Sequence, residues 1–244
     1  PDRPNIILIQ TDDQAYEDIG LLNSAGVLET PNLDTLASGA VQFTDFYCNN
    51  LCAPSRATTL TGRHHLKGGV WGTHGAADYI NLDETTFGDV FKANGYKTAH
   101  MGKWHSGKTA GYHPWDRGFD EGFKVTLYAY YNSTFTSKTG QETTSGWVEE
   151  VMADRAVQFI QDNQDAPFLL YYCPITAHGG GSSFDPDAGN TYHAPPALIQ
   201  KYVDMGLSGT TAMDTLARLY GSLEFTDTQL GRIFQTVEDL NLTD

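Results

Sequence analysis

Asn5 to Gln10 (Asn-Ile-Ile-Leu-Ile-Gln) is a short run of consecutive apolar residues, the pattern of a strand buried on both faces of a parallel sheet. Pro167 to Ile175 (Pro-Phe-Leu-Leu-Tyr-Tyr-Cys-Pro-Ile) repeats that pattern. Tyr96 to Met101 reads as a further strand. It follows a helix over Thr85 to Asn94 that is capped by Thr85 or Thr86 and stopped by Gly95. Thr30 and Pro31 form an N-cap and first-turn pair opening a helix through Ser38, and Gly39 ends it. Val41 to Tyr47 alternates as a strand leading into the loop before Cys52. Trp147 to Gln164 carries Val148, Val151, Met152, Ala156, Phe159 and Ile160 at helical spacing, the mark of a covering helix. From about Thr211 a second helical rhythm runs through Leu216, Leu219, Leu223, Leu230, Ile233 and Val237, with Gly221 placed to bend it. Residues 124 to 146, aromatic and rich in Ser and Thr, read as an irregular or hairpin insertion. Strands alternating with helices predict an α/β fold, a mostly parallel central sheet sandwiched by helices.

Composition agrees with one large domain: the chain has 244 residues and 40% are hydrophobic, enough for a substantial core. The formal net charge of −15 argues against nucleic acid or an anionic membrane as the main partner. No apolar run reaches the roughly 18 residues a membrane span needs. The chain opens at Pro1 with no signal peptide in view, as a mature secreted form or a trimmed chain would. Three cysteines, Cys48, Cys52 and Cys173, are too few for a disulfide scaffold. Oligomeric state is left open.

Candidate chemistry gathers where strands end. Asp12 and Asp13 follow the first strand, and adjacent carboxylates there suit a shared cation, although a solvated turn uses the same residues. Cys52 precedes Pro54, a first-turn residue, so it stands at the positive end of a helix dipole with Arg56 about one turn on. Ordinary packing also puts a Cys beside an Arg. Lys103 and His105 alternate on one side of the segment after the Tyr96 strand, with Trp104 turned the other way, which suits a cradle for a tetrahedral oxyanion, although a loop lysine and a capping histidine use the same residues. His178 follows the Pro167 strand at the same edge. The pair His64 and His65 lacks any matching His or Cys spacing and reads as surface loop.

The uninterrupted string Cys52-Ala53-Pro54-Ser55-Arg56 with Leu60-Thr61-Gly62-Arg63 resembles the signature of the type I sulfatases, of the alkaline-phosphatase-like superfamily. Gly102-Lys103-Trp104-His105-Ser106-Gly107 resembles another family element, with Ser106 where Leu is usual. Thr176-Ala177-His178 resembles its Ala-Pro-His segment, with Ala177 in place of the proline. The resemblance implies that Cys52 is matured by a formylglycine-generating enzyme to formylglycine. It implies further that Asp12, Asp13 and position 52 are ligands of Ca²⁺, with Mg²⁺ the other hard cation that would fit. In that reading Arg56 and Lys103 balance the sulfate charge, His178 assists the leaving group and His105 serves position 52 as a base. It implies a sulfated carbohydrate or other sulfate ester as substrate, in the periplasm or outside the cell. The likeness covers the first half of a family member. The family continues into a strand ending in Asp-Asn or Asp-His that completes the cation site, then a further lysine and a small C-terminal subdomain. The competing readings are a phosphonate or phosphate monoester hydrolase of the same superfamily and a catalytically silent carbohydrate-binding fragment.

Overall fold

The computed structural model describes residues 3–180, 192–207 and 211–243. Its strands are β1 (Ile6–Ile9), β2 (Lys97–Gly102), β3 (Glu121–Val125), β4 (Thr134–Ser137), β5 (Gly140–Thr143) and β6 (Phe168–Cys173). Its α-helices are α1 (Pro31–Ser38), α2 (Cys52–Thr61), α3 (Phe87–Ala93), α4 (Val148–Asp162), α5 (Pro196–Asp204) and α6 (Thr211–Asp239). One sheet runs in the order β1-β6-β2-β3-β4-β5. The first four strands in that order are parallel, and β4 and β5 close it as an antiparallel hairpin.

The apolar runs explain the layering. β6 lies between β1 and β2, and all six of its residues are buried, because helices cover both of its faces. Leu169, Tyr171 and Cys173 point toward Ala53, Ala57 and Leu60 of α2. Phe168, Leu170 and Tyr172, one residue out of phase, pack with Met152, Ala156 and Ile160 of α4 and with Leu230 and Ile233 of α6. α3 begins on a reciprocal cap between Thr86 and Asp89.

Three expectations are corrected. β1 pairs only with β6, so it is an edge strand among the described residues and is half-buried rather than buried on both faces. Val41 to Tyr47 forms no strand, and Val41, Phe43, Phe46 and Tyr47 are 76–86% exposed. Alternation gives this segment the right pattern, but no described strand offers it a ladder. Gly221 does not interrupt α6, which is one continuous helix. A Cβ there would lie 3.2 Å from the backbone nitrogen of Ile199, so the glycine lets α5 approach closely. β3, which extends the sheet between β2 and the hairpin, was not legible as a strand. No helix among the described residues is long and apolar enough to cross a membrane.

Candidate active site

Because β1, β6 and β2 run parallel, their carboxyl ends share one edge of the sheet, where open α/β sheets bind ligands. β1 delivers Asp12 and Asp13 there, β2 delivers Lys103 to His105, and β6 delivers the turn carrying His178. Gly102 makes the close approach possible: its φ is 110°, and a Cβ would sit 2.0 Å from the carbonyl oxygen of Cys173. The next amide, Lys103, donates to that carbonyl at 2.9 Å.

Lys103 and Arg56 are each 1% exposed. The Lys103 ammonium donates to Asp12 Oδ2, and the Arg56 guanidinium stands 3.6 Å from Asp12 Oδ1. Arg56 also donates to the Lys103 carbonyl at 3.0 Å, while its Nε, buried, has no partner. Burial works against the Arg56 charge, but Cys173, Tyr171 and Asp12 around it outweigh burial and hold the guanidinium protonated. One buried carboxylate between two buried cations leaves the cluster net positive, inside a chain of net charge −15. An oxyanion satisfies such an excess.

Cys52 is the first residue of α2, after Leu51 in extended conformation. Its Sγ lies 3.1 Å from His105 Nδ1, and His105 Nε2 lies 3.0 Å from the Thr73 carbonyl oxygen. A carbonyl only accepts, so Nε2 carries the proton and Nδ1 is free to accept from position 52. Burial lowers the His105 pKa, with Lys103 and Arg56 adding to it against the Thr73 carbonyl, which keeps the imidazole neutral at neutral pH.

His178 Nε2 stands 3.6 Å from Asp13 Oδ2. Its turn is held from below: Glu149 Oε1 accepts from the Ile175 amide, the Thr176 amide and the Thr176 hydroxyl at 3.0, 2.9 and 2.6 Å. Tyr130 donates its hydroxyl to the His178 carbonyl at 2.6 Å. Burial raises the Glu149 carboxyl above its ordinary range despite these donors.

Asp12, Asp13, Cys52, Arg56 and His64 line one cavity of about 760 Å³. The structure therefore brings Asp12, Arg56 and Lys103 together, Cys52 with His105, and Asp13 with His178, at one edge. The acidic pair offers the hard oxygen donors that Ca²⁺ or Mg²⁺ takes. Yet Asp12, Asp13 and Cys52 do not converge as a three-donor group, and no such metal cluster exists among the described residues. Asp12 is instead turned onto Lys103 and Arg56, whose positive charge repels a cation, so the pair fits only part of a coordination shell. His64, read from sequence as loop, is exposed at the cavity wall, and His65 bonds the Val70 carbonyl at 2.7 Å. Thr73, His100, Tyr130 and Glu149 were missed, because nothing in a linear pattern announces a backbone or buried polar group that supports a residue far along the chain.

A family model described as Sulfatase matches residues 4–244. The chain belongs to the sulfatase family. Arylsulfatase G of Rattus norvegicus is 44% identical over 128 residues, covering 50% of this chain and 24% of that protein. N-acetylgalactosamine-6-sulfatase of Mus musculus is 26% identical over 280 residues, covering 100% of this chain and 48% of its own length. Among solved structures, Ps i-CgsB in complex with k-i-k-neocarrahexaose superposes with a TM-score of 0.84 at 24% identity, over 100% of this chain and 56% of that one. That likeness carries the sulfatase α/β fold. This sulfatase chain spans about half the length of the relatives it matches end to end.

Proposed function

We propose that the protein carrying this chain hydrolyses sulfate monoesters on a carbohydrate, with position 52 as the nucleophile and the buried Lys103–Asp12–Arg56 cluster as the sulfate cradle. The observation that carries the reading is the net positive charge buried beside a Cys–His pair at the start of α2. The named activities of the similar sulfatases and the oligosaccharide bound to Ps i-CgsB support a sugar as the alcohol. Sulfated polysaccharide outside the cytoplasm, in the periplasm or beyond the cell, is the substrate setting this implies.

Formylglycine, made from Cys52 by a maturation enzyme, would supply a hydrated aldehyde hydroxyl where Cys52 Sγ now stands. A divalent cation held by Asp12 and Asp13, with donors beyond the described residues, would add charge to polarise the sulfuryl oxygens. The chain's own side chains do the remainder. His105 Nδ1 accepts a proton from position 52 while the Thr73 carbonyl keeps the ring oriented. Lys103 and Arg56 neutralise charge on the sulfuryl group from a water-poor wall, where fixed cations act strongly. His178, set by Glu149 and Tyr130, gives the departing alcohol its proton.

The test is sulfate release from sulfated oligosaccharides, run beside an aryl sulfate and an aryl phosphonate. Sugar sulfates cleaved fastest, and no release by Cys52→Ala, are expected. Faster phosphonate cleavage would favour the phosphonate hydrolase reading, and undiminished turnover by Cys52→Ala would reject position 52.

A further inference from the structure

Next to the candidate active site lies a second cavity of about 450 Å³, walled by His105 itself, Lys108, Lys124, Leu127 and Tyr128 among others. Its composition is unusual for this molecule. The chain carries 30 acidic and 15 basic residues, yet this cavity is lined by two lysines and two histidines, His74 and His105, and by no Asp or Glu. A cavity on the far side of β3, by contrast, is lined by Asp120, Glu121, Glu142 and Asp162 with Lys138 and Arg155.

Lys124 is held ready. Its ammonium lies 2.7 Å from His113 Nδ1 and 5.4 Å above the Trp115 ring. Neither Lys124 nor Lys108 forms a salt bridge among the described residues. Burial, with Lys108 adding to it against Asp116, pulls Lys124 down to about 8, so a nearby anion would favour its charged form. Apolar wall is present as well, in Trp104, Val125 and Leu127. Tyr128 ties the cavity to the other imidazole, its ring centroid lying 5.3 Å from that of His178.

We infer that this cavity binds a second anionic substituent of the same carbohydrate, a sulfate or a carboxylate, with Lys108 and Lys124 as its cationic contacts and Tyr128 against the sugar ring. The inference rests on the sulfatase reading. It makes these two lysines specificity-determining residues, which discriminate polyanionic sugars from singly charged esters.

Titration calorimetry with Cys52→Ala protein, which binds without turnover, tests it against three disaccharides: monosulfated, disulfated, and monosulfated with a uronic acid. Adding Lys108→Gln and Lys124→Gln should weaken the doubly charged sugars about tenfold while moving the monosulfated one less than about twofold. Lys124→Arg should restore most of the loss. A preference for the disulfated over the uronic sugar, or the reverse, names which anion the cavity takes. Equal losses on all three, or none on the doubly charged pair, would overturn the subsite while leaving the sulfatase reading intact. If the Cys52→Ala parent binds none of the three, the carbohydrate-sulfate reading fails and the subsite with it. Unchanged thermal melting of the double variant excludes unfolding, since neither side chain is fully buried.

Discussion

The two flanks of the candidate site are built differently. On the β2 and β6 side the cluster and its buried supports are enclosed, with Lys103 and Arg56 1% exposed, Glu149 2% and His100 0%, while His105 and His178 are partly exposed. On the β1 side the Asp13 side chain is 58% exposed and the segment from Val41 to Tyr47 lies open on the surface. β6 has a partner strand on each edge and helices on both faces, whereas β1 has a partner on one edge only among the described residues. The Lys103–Asp12–Arg56 cluster is thus made by contacts complete within these residues, whereas Asp13 next to it has, among the described residues, only the 3.6 Å contact with His178. Stability and geometry should therefore respond to substitution on one flank and scarcely on the other.

The largest effect is expected at the buried cluster. Lys103→Met leaves Asp12 with only the longer Arg56 contact, and breaking such a buried pair costs about 3–5 kcal/mol. Urea denaturation would measure it, and a loss below about 1 kcal/mol would mean the cluster is hydrated.

Acid should act next, through His100. Its Nε2 lies 3.3 Å from the Lys103 carbonyl and its buried Nδ1 has no partner. Burial lowers its pKa from 6.5 to about 3, with Arg56 and Lys124 adding to the effect against the Lys103 carbonyl. The folded pKa lies below the unfolded one, so this contribution is fully present above about pH 6.5 and is lost as pH falls toward 3. The slope approaches about 1.4 kcal/mol per pH unit. His100→Gln should flatten the acid limb of stability relative to the parent, and an unchanged limb would show that His100 is protonated without cost.

Glu149→Ala should cost about 1–3 kcal/mol by stranding the Ile175 and Thr176 donors. It should also lower sulfate release through a looser His178, with Glu149→Gln recovering much of both. Equal turnover in Glu149→Ala would separate that turn from the chemistry. On the open flank, Asp13→Asn and Phe43→Ser should each shift stability by less than about 0.5 kcal/mol. A larger cost at Phe43 would mean that the segment is covered in the whole protein.

The same contrast explains what could be read from sequence. β1, β2, β6 and the helices α1, α2, α3, α4 and α6 announce themselves through continuous apolar runs, 3.6-residue spacing, caps and a first-turn proline, all properties of neighbouring residues. Parallel strands then bring Asp12, Lys103 and His178 to one edge with no further information. What escaped depends on partners distant in the chain. Val41 to Tyr47 alternates like a strand, yet a strand exists only where a ladder receives it. Gly221 looks like a helix breaker until α5 is seen against it. Glu149 resembles its neighbour Glu150 in sequence, and only the turn after β6 distinguishes them. The Lys108–Lys124 cavity joins a loop after β2 to the end of β3, a strand that alternation did not reveal.

Peptide mass spectrometry of material produced with a formylglycine-generating enzyme would report whether residue 52 is the converted nucleophile of this edge. An aldehyde is expected in place of the thiol at position 52 in the sulfate-releasing fraction. A free Cys52 thiol persisting in fully active protein would contradict it.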